Sequence, residues 1–263
     1  MGTVRNATVR RSRAVAVGVA AAVVAVVVGL VAGGHAGGHG TGLPTPPATS
    51  ASGAGTRFTA AAPRTLVLDG VSGKVRVTAS GAAHAVSGTF RRDDGAPARA
   101  RWSAGDGGAL VLGCRDGSGA AVPCAGDLAL TMPSSVGLRL RQTSGDTVLA
   151  GIGGPLTVAA SSVRLTATGL RPGSADVQVT SGSVDLAFAA APADLAVRAV
   201  SAYAALRLPA RPSGSYSVAT TAASADVRVQ VPHTTAGASP DGAPPRHRVT
   251  LDVVSGSVAV LPL

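Results

Sequence analysis

From about Pro63 to the C-terminus, apolar and polar residues alternate with a period of two. The alternation is clearest in Val75-Arg76-Val77, Val184-Asp185-Leu186 and Val258-Ala259-Val260. Runs of ten or more residues with the 3.6-residue period of a helix are missing. A period of two is typical of strands with one buried face. The pattern therefore predicts an all-β domain over residues 63–263.

The strands recur around a common unit, which is a strand, then Ser-Gly or a small-residue substitute, then another strand. The residues at the glycine-equivalent position are Gly73, Gly145, Ser161, Gly182, Ala202, Ala225 and Gly256. From 145 to 225 the unit repeats about every 20 residues, a period typical of stacked arrays. Small residues suit a corner between strands, because stacked corners leave little room for a Cβ atom.

Two architectures fit this repeat. In a β-solenoid (parallel β-helix-like), each repeat is one rung, and the rungs gain stability by stacking on their neighbours. In an antiparallel β-sandwich, each Ser-Gly would be a hairpin turn. The local pattern leaves both open, with the solenoid as the leading prediction. Between residues 85 and 123 the repeat lapses, and turn signals such as Asp93-Asp94-Gly95 predict hairpins that cap the stack.

The N-terminus carries a targeting pattern. Residues 1–13 hold four arginines, and residues 14–32 are 19 consecutive uncharged residues, mostly Val and Ala. A helix of that length spans about 28 Å, close to the roughly 30 Å core of a bilayer. The positive-inside rule predicts a cytoplasmic tail over 1–13, a transmembrane helix over 14–32 and an exported remainder. A cleaved signal peptide is the alternative, and it exports the same remainder.

Residues 33–62 are rich in Gly, Pro and small polar residues. Such a composition buries too little apolar surface to offset the entropy of ordering it. It predicts a flexible linker that holds the 63–263 domain away from the membrane.

The net charge of +10 does not point to nucleic acid. Arginine outnumbers lysine 22 to 1 in a chain rich in Ala, Gly, Val and Pro, a bias typical of GC-rich coding sequences. We therefore predict no nucleic-acid partner, although such a charge would ordinarily suggest one. Charged residues are only 14% and hydrophobic residues 46%, which excludes a disordered charged tail.

Cys114 and Cys124 are the only cysteines, and both lie in the exported part. Two cysteines ten residues apart in an oxidising compartment predict a disulfide that closes the loop between them.

Sequence signatures of catalysis are largely absent, including G-x-S-x-G, the phosphate-binding loop and H-E-x-x-H. We expect no metal, no cofactor and no enzymatic activity.

Four arginines each lie between two apolar strand residues, so alternation directs them away from the core. They are Arg76, Arg164, Arg207 and Arg228. If the strands stack in parallel, Arg164 and Arg228 are predicted to share one ladder, with Asp185 at the equivalent position between them. Such a face is a candidate site for an anionic envelope polymer or a lipid headgroup layer.

The exported part resembles the bacterial putative-adhesin β-strand-repeat family over about 64–263. The resemblance rests on the Thr-Ser-Gly-Asp-type corners and on three further segments. These are Leu128-Ala129-Leu130-Thr131-Met132-Pro133 leading into Leu138-Arg139-Leu140, Val229-Gln230-Val231-Pro232, and Val254-Ser255-Gly256-Ser257-Val258-Ala259-Val260. The resemblance implies a β-solenoid and an extracytoplasmic location.

These features predict a single-pass bacterial membrane protein whose exported domain acts in adhesion, or in binding or scaffolding at the cell envelope. The expected partners are the membrane and either an anionic envelope polymer or another envelope protein. Two alternatives remain: the ectodomain of an envelope-stress sensing system, and a polysaccharide-acting β-helix enzyme. The enzyme would require a cluster of Arg and Asp on one face.

The predicted topology is tested by fusing a reporter after Leu263. Because four arginines precede the apolar segment, the reporter should be active outside the cytoplasm. Activity only on the cytoplasmic side would contradict export. A mature N-terminus between 33 and 37 would retain export but remove the anchor.

Overall fold

The computed structural model describes residues 50–52, 55–96, 99–104, 108–210, 216–235 and 247–263. These residues form sixteen strands that join one large mixed sheet, so the all-β prediction is confirmed. None of them belongs to a helix long and apolar enough to cross a membrane. The predicted segments 1–13 and 14–32 lie outside the described residues.

The strands fall into a short N-terminal group and a long C-terminal group. The first group is β1 (Ser50–Ser52), β2 (Gly55–Ala61), β3 (Thr65–Asp69), β4 (Val71–Ser80), β5 (Ala85–Arg92), β6 (Arg99–Ala104), β7 (Gly108–Arg115), β8 (Ala121–Val122) and β9 (Cys124–Pro133). The second group is β10 (Gly137–Ala150), β11 (Leu156–Leu170), β12 (Ser174–Phe188), β13 (Asp194–Leu208), β14 (Tyr216–Val229), the short β15 (His233–Thr235) and β16 (Arg248–Pro262).

The long strands pair in parallel, each with the next repeat. Leu138 in β10 aligns with Leu156 in β11, which aligns with Ala175 in β12 and then Leu195 in β13. Each of these strands runs through its corner without reversing. The interpretation of these corners as hairpin turns, on which the antiparallel sandwich depended, is therefore wrong for the repeats.

The buried side of each long strand changes phase at its corner. In β10, Leu138 and Leu140 are buried before the corner, and Thr147 and Leu149 are buried after it. The corner of β10 also buries a polar side chain. The Gln142 amide nitrogen donates to the carbonyls of Gly73, at 2.9 Å, and Ser144, at 3.0 Å, while its oxygen accepts from Thr147. This buried amide is therefore fully hydrogen-bonded.

The corners of neighbouring strands form one continuous row across the sheet. The corner row is Gly126, Gly73, Gly145, Val163, Gly182, Ala202, Gly256 and Ala225. At Gly145 the backbone has φ 117°, and a Cβ atom there would lie 1.9 Å from the carbonyl oxygen of Gly73. The residue of β11 in this row is Val163, so the placement of Ser161 at the glycine-equivalent position is wrong by two residues.

The last repeats do not stack in chain order. The C-terminal strand β16 lies between β13 and β14, so β14 stands nearer the end of the sheet. The inward side chains of β16, such as Leu251 and Val258, are fully buried, whereas Thr220 and Ala222 of β14 are exposed. The more apolar strand occupies the interior position, where burial of apolar area stabilises the fold most.

The short strands build the other end of the sheet, where β2, β5 and β9 pair antiparallel and β9 then runs parallel to β4. Strand β2 lies within residues 33–62, which the composition predicts to be a flexible linker. Phe58 of β2 is 2% exposed, and the whole strand pairs with β5. The predicted end of the linker at residue 62 is therefore wrong. The prediction relied on the Gly- and Ala-rich composition and overlooked the short alternating segment of β2, whose Phe58 side chain lies in the core.

The corner row gives a stability test. Gly145→Ala places a Cβ atom against the Gly73 carbonyl at positive φ, and we expect it to lower the free energy of unfolding by about 3 kcal/mol or more. The matched control is Gly173→Ala, where a Cβ atom meets nothing within 4 Å. That variant should stay within about 1 kcal/mol of the wild type. Thermal unfolding measures both, and equal melting temperatures for the two variants would contradict the crowding argument.

Candidate functional site

The four predicted arginines all point outward from the sheet, as the alternation predicted. Arg76 is exposed, and the side chains of Arg164, Arg207 and Arg228 are 76%, 41% and 71% exposed. They lie after the corners of their strands and so belong to one outer face.

Two rows of aligned residues, running across the strands, contain most of the charged and aromatic side chains of this face. We call the first the charged row: Arg91, Asp127, Lys74, Asp146, Arg164, Ser183, Tyr203, Ser257 and Asp226. We call the second, two residues further along each repeat strand, the central row: Arg57, Thr89, Ala129, Arg76, Val148, Thr166, Asp185, Ala205, Ala259 and Arg228.

The predicted ladder that joins Arg164 to Arg228 is wrong. Arg164 lies in the charged row and Arg228 in the central row, where Asp185 also lies. The error has one cause. The corner of β11 is at Val163 instead of Ser161. Arg164 therefore lies one residue after its corner, whereas Asp185 and Arg228 each lie three residues after theirs.

The charged row alternates in sign over five adjacent strands, from Arg91 through Asp127, Lys74 and Asp146 to Arg164. Arg91 lies 3.1 Å from Asp127, and Arg164 lies 3.9 Å from Asp146. Opposite charges on facing strands stabilise a sheet by roughly 0.2–1 kcal/mol per pair, with exposed pairs contributing least. The alternation leaves this row almost without net charge.

The other two predicted arginines of the C-terminal repeats, Arg207 and Arg228, are also paired. Arg207 donates to Asp185 on the adjacent strand, and this hydrogen bond raises the pKa of Arg207. Arg228 lies 3.0 Å from Asp226 two residues before it. Three of the four predicted arginines are therefore neutralised by aspartates.

Arg76 has a different environment. It lines an open groove of about 460 Å³ together with Arg57, and no carboxylate lines this groove. Within the part of the chain that the structure describes, neither arginine forms an ion pair. Thr89 and Ala129 separate them in the central row, so their Cα atoms are about 14 Å apart at three strand spacings. We call this site the arginine groove.

Hydroxyl groups complete the arginine groove. The hydroxyl-bearing residues are Thr59, Thr78, Ser87, Thr89 and Thr131. Gly88 lies beneath this face, on the inward side of β5 opposite Phe58 and Leu130, where a Cβ atom would lie 2.7 Å from the Phe58 ring. Guanidinium and hydroxyl donors around a depression suit a phosphate, sulfate or carboxylate group.

Sequence reasoning missed Arg57, because it fell inside the predicted linker. The available signal was the alternation of Thr56-Arg57-Phe58-Thr59, which buries Thr56 and Phe58 and exposes the other two. Only the pairing of β2 with β5 brings Arg57 onto the same face as Arg76.

The predicted disulfide between Cys114 and Cys124 is present, with 5.3 Å between the Cα atoms and both side chains buried. The loop that it closes is ordered by the Asp116 carboxylate. This group accepts hydrogen bonds from the Ser118 hydroxyl at 2.6 Å and from the N–H groups of Ser118 and Ala120. These bonds, that of the Ser118 hydroxyl foremost, lower the pKa of Asp116.

The two tyrosines have opposite environments. Tyr216 is fully buried and donates to the carbonyl of Pro209 at 2.9 Å, whereas Tyr203 is 67% exposed on the outer face. Among the described residues, no cluster of His, Cys and Asp side chains is arranged to hold a metal ion.

No protein-family model and no curated protein matches the chain. Among solved structures, it is similar to a putative cell adhesion protein from Clostridium sporogenes ATCC 15579, at 11% identity and a TM-score of 0.38. The match covers 82% of this chain and 100% of that chain. Both values are too low to assign a function, and the family named from the sequence stays a resemblance.

The disulfide gives a second stability test. Replacing Cys114 and Cys124 together with Ser should lower the free energy of unfolding by roughly 2.5–3 kcal/mol, because the reduced chain gains loop entropy when it unfolds. Urea unfolding measures the loss, and mass spectrometry of exported protein should detect no free thiols. Two free thiols in the wild type, or an unchanged urea midpoint, would contradict the prediction.

Proposed function

We propose that the chain is a membrane-anchored, extracytoplasmic β-solenoid domain that binds an anionic polymer of the cell envelope and is not an enzyme. The arginine groove is the observation that carries the binding role.

Three features support the solenoid. The long strands stack in parallel and in register, and successive repeats are offset by 18, 19 and 20 residues from Leu138 to Leu195. Each long strand changes its buried side at its corner, and the corner residue is Gly or Ala in all of them except β11, where it is Val163. Antiparallel strands cover the N-terminal end of the stack, as solenoids require to avoid open edges.

Two features support export. Segment 14–32 is long enough to span a bilayer and follows four arginines. The disulfide between Cys114 and Cys124 suits an oxidising compartment.

The binding role follows from the unpaired charge of Arg57 and Arg76. Elsewhere on the face, arginine is matched by aspartate, so the arginine groove concentrates the positive potential that remains. Potential of this kind attracts a polyanion through several weak contacts that salt screens. The groove is open and accommodates one segment of a longer polymer.

The surroundings of the aspartates support a non-catalytic role. A glycosidase needs a carboxylic acid that burial keeps protonated, together with a second carboxylate. Every aspartate whose exposure the structure describes is at least partly exposed. The acids of the charged row, Asp127, Asp146 and Asp226, each form an ion pair with an arginine.

The test is binding of the full chain, in detergent micelles, to poly(glycerol phosphate), with neutral dextran as the control polymer. The double variant Arg57→Ser/Arg76→Ser should weaken binding about tenfold per arginine, each factor of ten being about 1.4 kcal/mol. Raising the ionic strength from ~0.02 M to ~0.3 M should weaken binding of the wild type.

The matched control is Arg164→Ser/Arg228→Ser, which removes the same charge from arginines that are already paired. It should bind nearly as well as the wild type. Equal weakening by both double variants would show a response to net charge alone and would contradict the groove. No binding of the wild type at low salt would refute the proposed function.

A further inference from the structure

A second groove lies on the same face, around Tyr203. It has a volume of about 460 Å³ and crosses strands β11, β12, β13 and β16. Tyr203 is the most exposed of the large hydrophobic and aromatic residues whose burial the structure describes. We call this site the tyrosine groove.

The neighbours of Tyr203 are too small to cover its ring. Ser183 and Ser257 lie directly opposite it on the two flanking strands. Ala205 and Ala259 lie beside them in the central row and line the same groove. An aromatic residue stabilises a sheet mainly by packing on large cross-strand neighbours, and here there are none. Sheet stability therefore does not explain why an aromatic ring stands at this position.

The charges of the tyrosine groove are balanced. Asp185 is bound to Arg207, and Arg164 lies 3.9 Å from Asp146. The groove differs in this respect from the arginine groove, in which two arginines meet no carboxylate. A ligand of the tyrosine groove would find donors and acceptors but little net charge.

We propose that the tyrosine groove binds a neutral saccharide unit. The apolar face of a sugar ring stacks on Tyr203, and its hydroxyls exchange hydrogen bonds with the Asp185 carboxylate and the hydroxyls of Ser183 and Ser257. An aromatic platform with a few polar groups and a volume of several hundred Å³ is typical of sites for small ligands.

This inference deepens the proposed envelope-binding function and rests on it. Arg76 and Ala205 occupy the same central row, four strand spacings or about 19 Å apart. A polymer that carries both sugar and anionic units can therefore contact both grooves at once.

The experiment measures saturation-transfer NMR of the full chain, in detergent micelles, with three neutral trisaccharides: cellotriose, maltotriose and chitotriose. At least one should bind with a Kd of about 1 mM, equivalent to about −4.1 kcal/mol. Tyr203→Ala should weaken that binding at least tenfold, whereas Tyr203→Phe, which keeps the ring, should retain it. The control Val148→Ala removes another exposed apolar side chain of this face, outside both grooves, and should have no effect.

Three results would overturn the inference. The first is no binding of any neutral trisaccharide at a ligand concentration ten times the expected Kd. The second is equal binding by Tyr203→Ala and the wild type, and the third is tighter binding of the anionic trigalacturonate than of every neutral probe. Binding of poly(glycerol phosphate) is measured on the same preparations. If it still depends on Arg57 and Arg76 while saccharide binding fails, only the tyrosine groove is refuted. If both fail, the proposed function is refuted as well.

Discussion

Close approach of backbones along the corner row is the constraint on which the rest of this domain depends. A Cβ atom at Gly145 would lie 1.9 Å from the Gly73 carbonyl oxygen, and one at Gly256 would lie 2.1 Å from that of Ala202. Such crowding allows little variation in how neighbouring corners align, so it sets the register between strands. Register matters because a slip of one residue would turn every side chain to the opposite side of the sheet. The corners therefore decide which residues meet on the outer face.

Given that register, the outer face divides its charges into paired and unpaired groups. Basic and acidic residues alternate along the charged row, and Arg207 is bound to Asp185. A chain with a large positive net charge thus presents a face that is mostly neutral. The remaining distinct features are two grooves, one with two arginines and no carboxylate and one with an exposed tyrosine between serines.

The two ends of the sheet are covered by different kinds of strand. At the N-terminal end, antiparallel strands cover the stack, and β2 adds Arg57 to the face in doing so. At the other end, β16 returns to lie between β13 and β14, which leaves the less apolar β14 nearer the edge. An exposed edge strand can pair with other chains. A strand near the edge also buries less apolar area, so placing the less apolar strand there loses less stability than placing an apolar strand there.

The sequence by itself determined the properties that depend on near neighbours in the chain. Period-two alternation predicted the strands and the outward direction of Arg76 and Arg164, and the spacing of two cysteines predicted their bridge. The tertiary structure alone decided the properties that depend on contacts between strands. It placed Val163 at the corner of β11, which separated Arg164 from Arg228; it inserted β16 between β13 and β14; and it brought Arg57 onto the same face as Arg76. Alternation tells inside from outside within one strand, but it carries no information about which residue of the next strand lies opposite. Only packing of the backbones at the corners supplies that alignment.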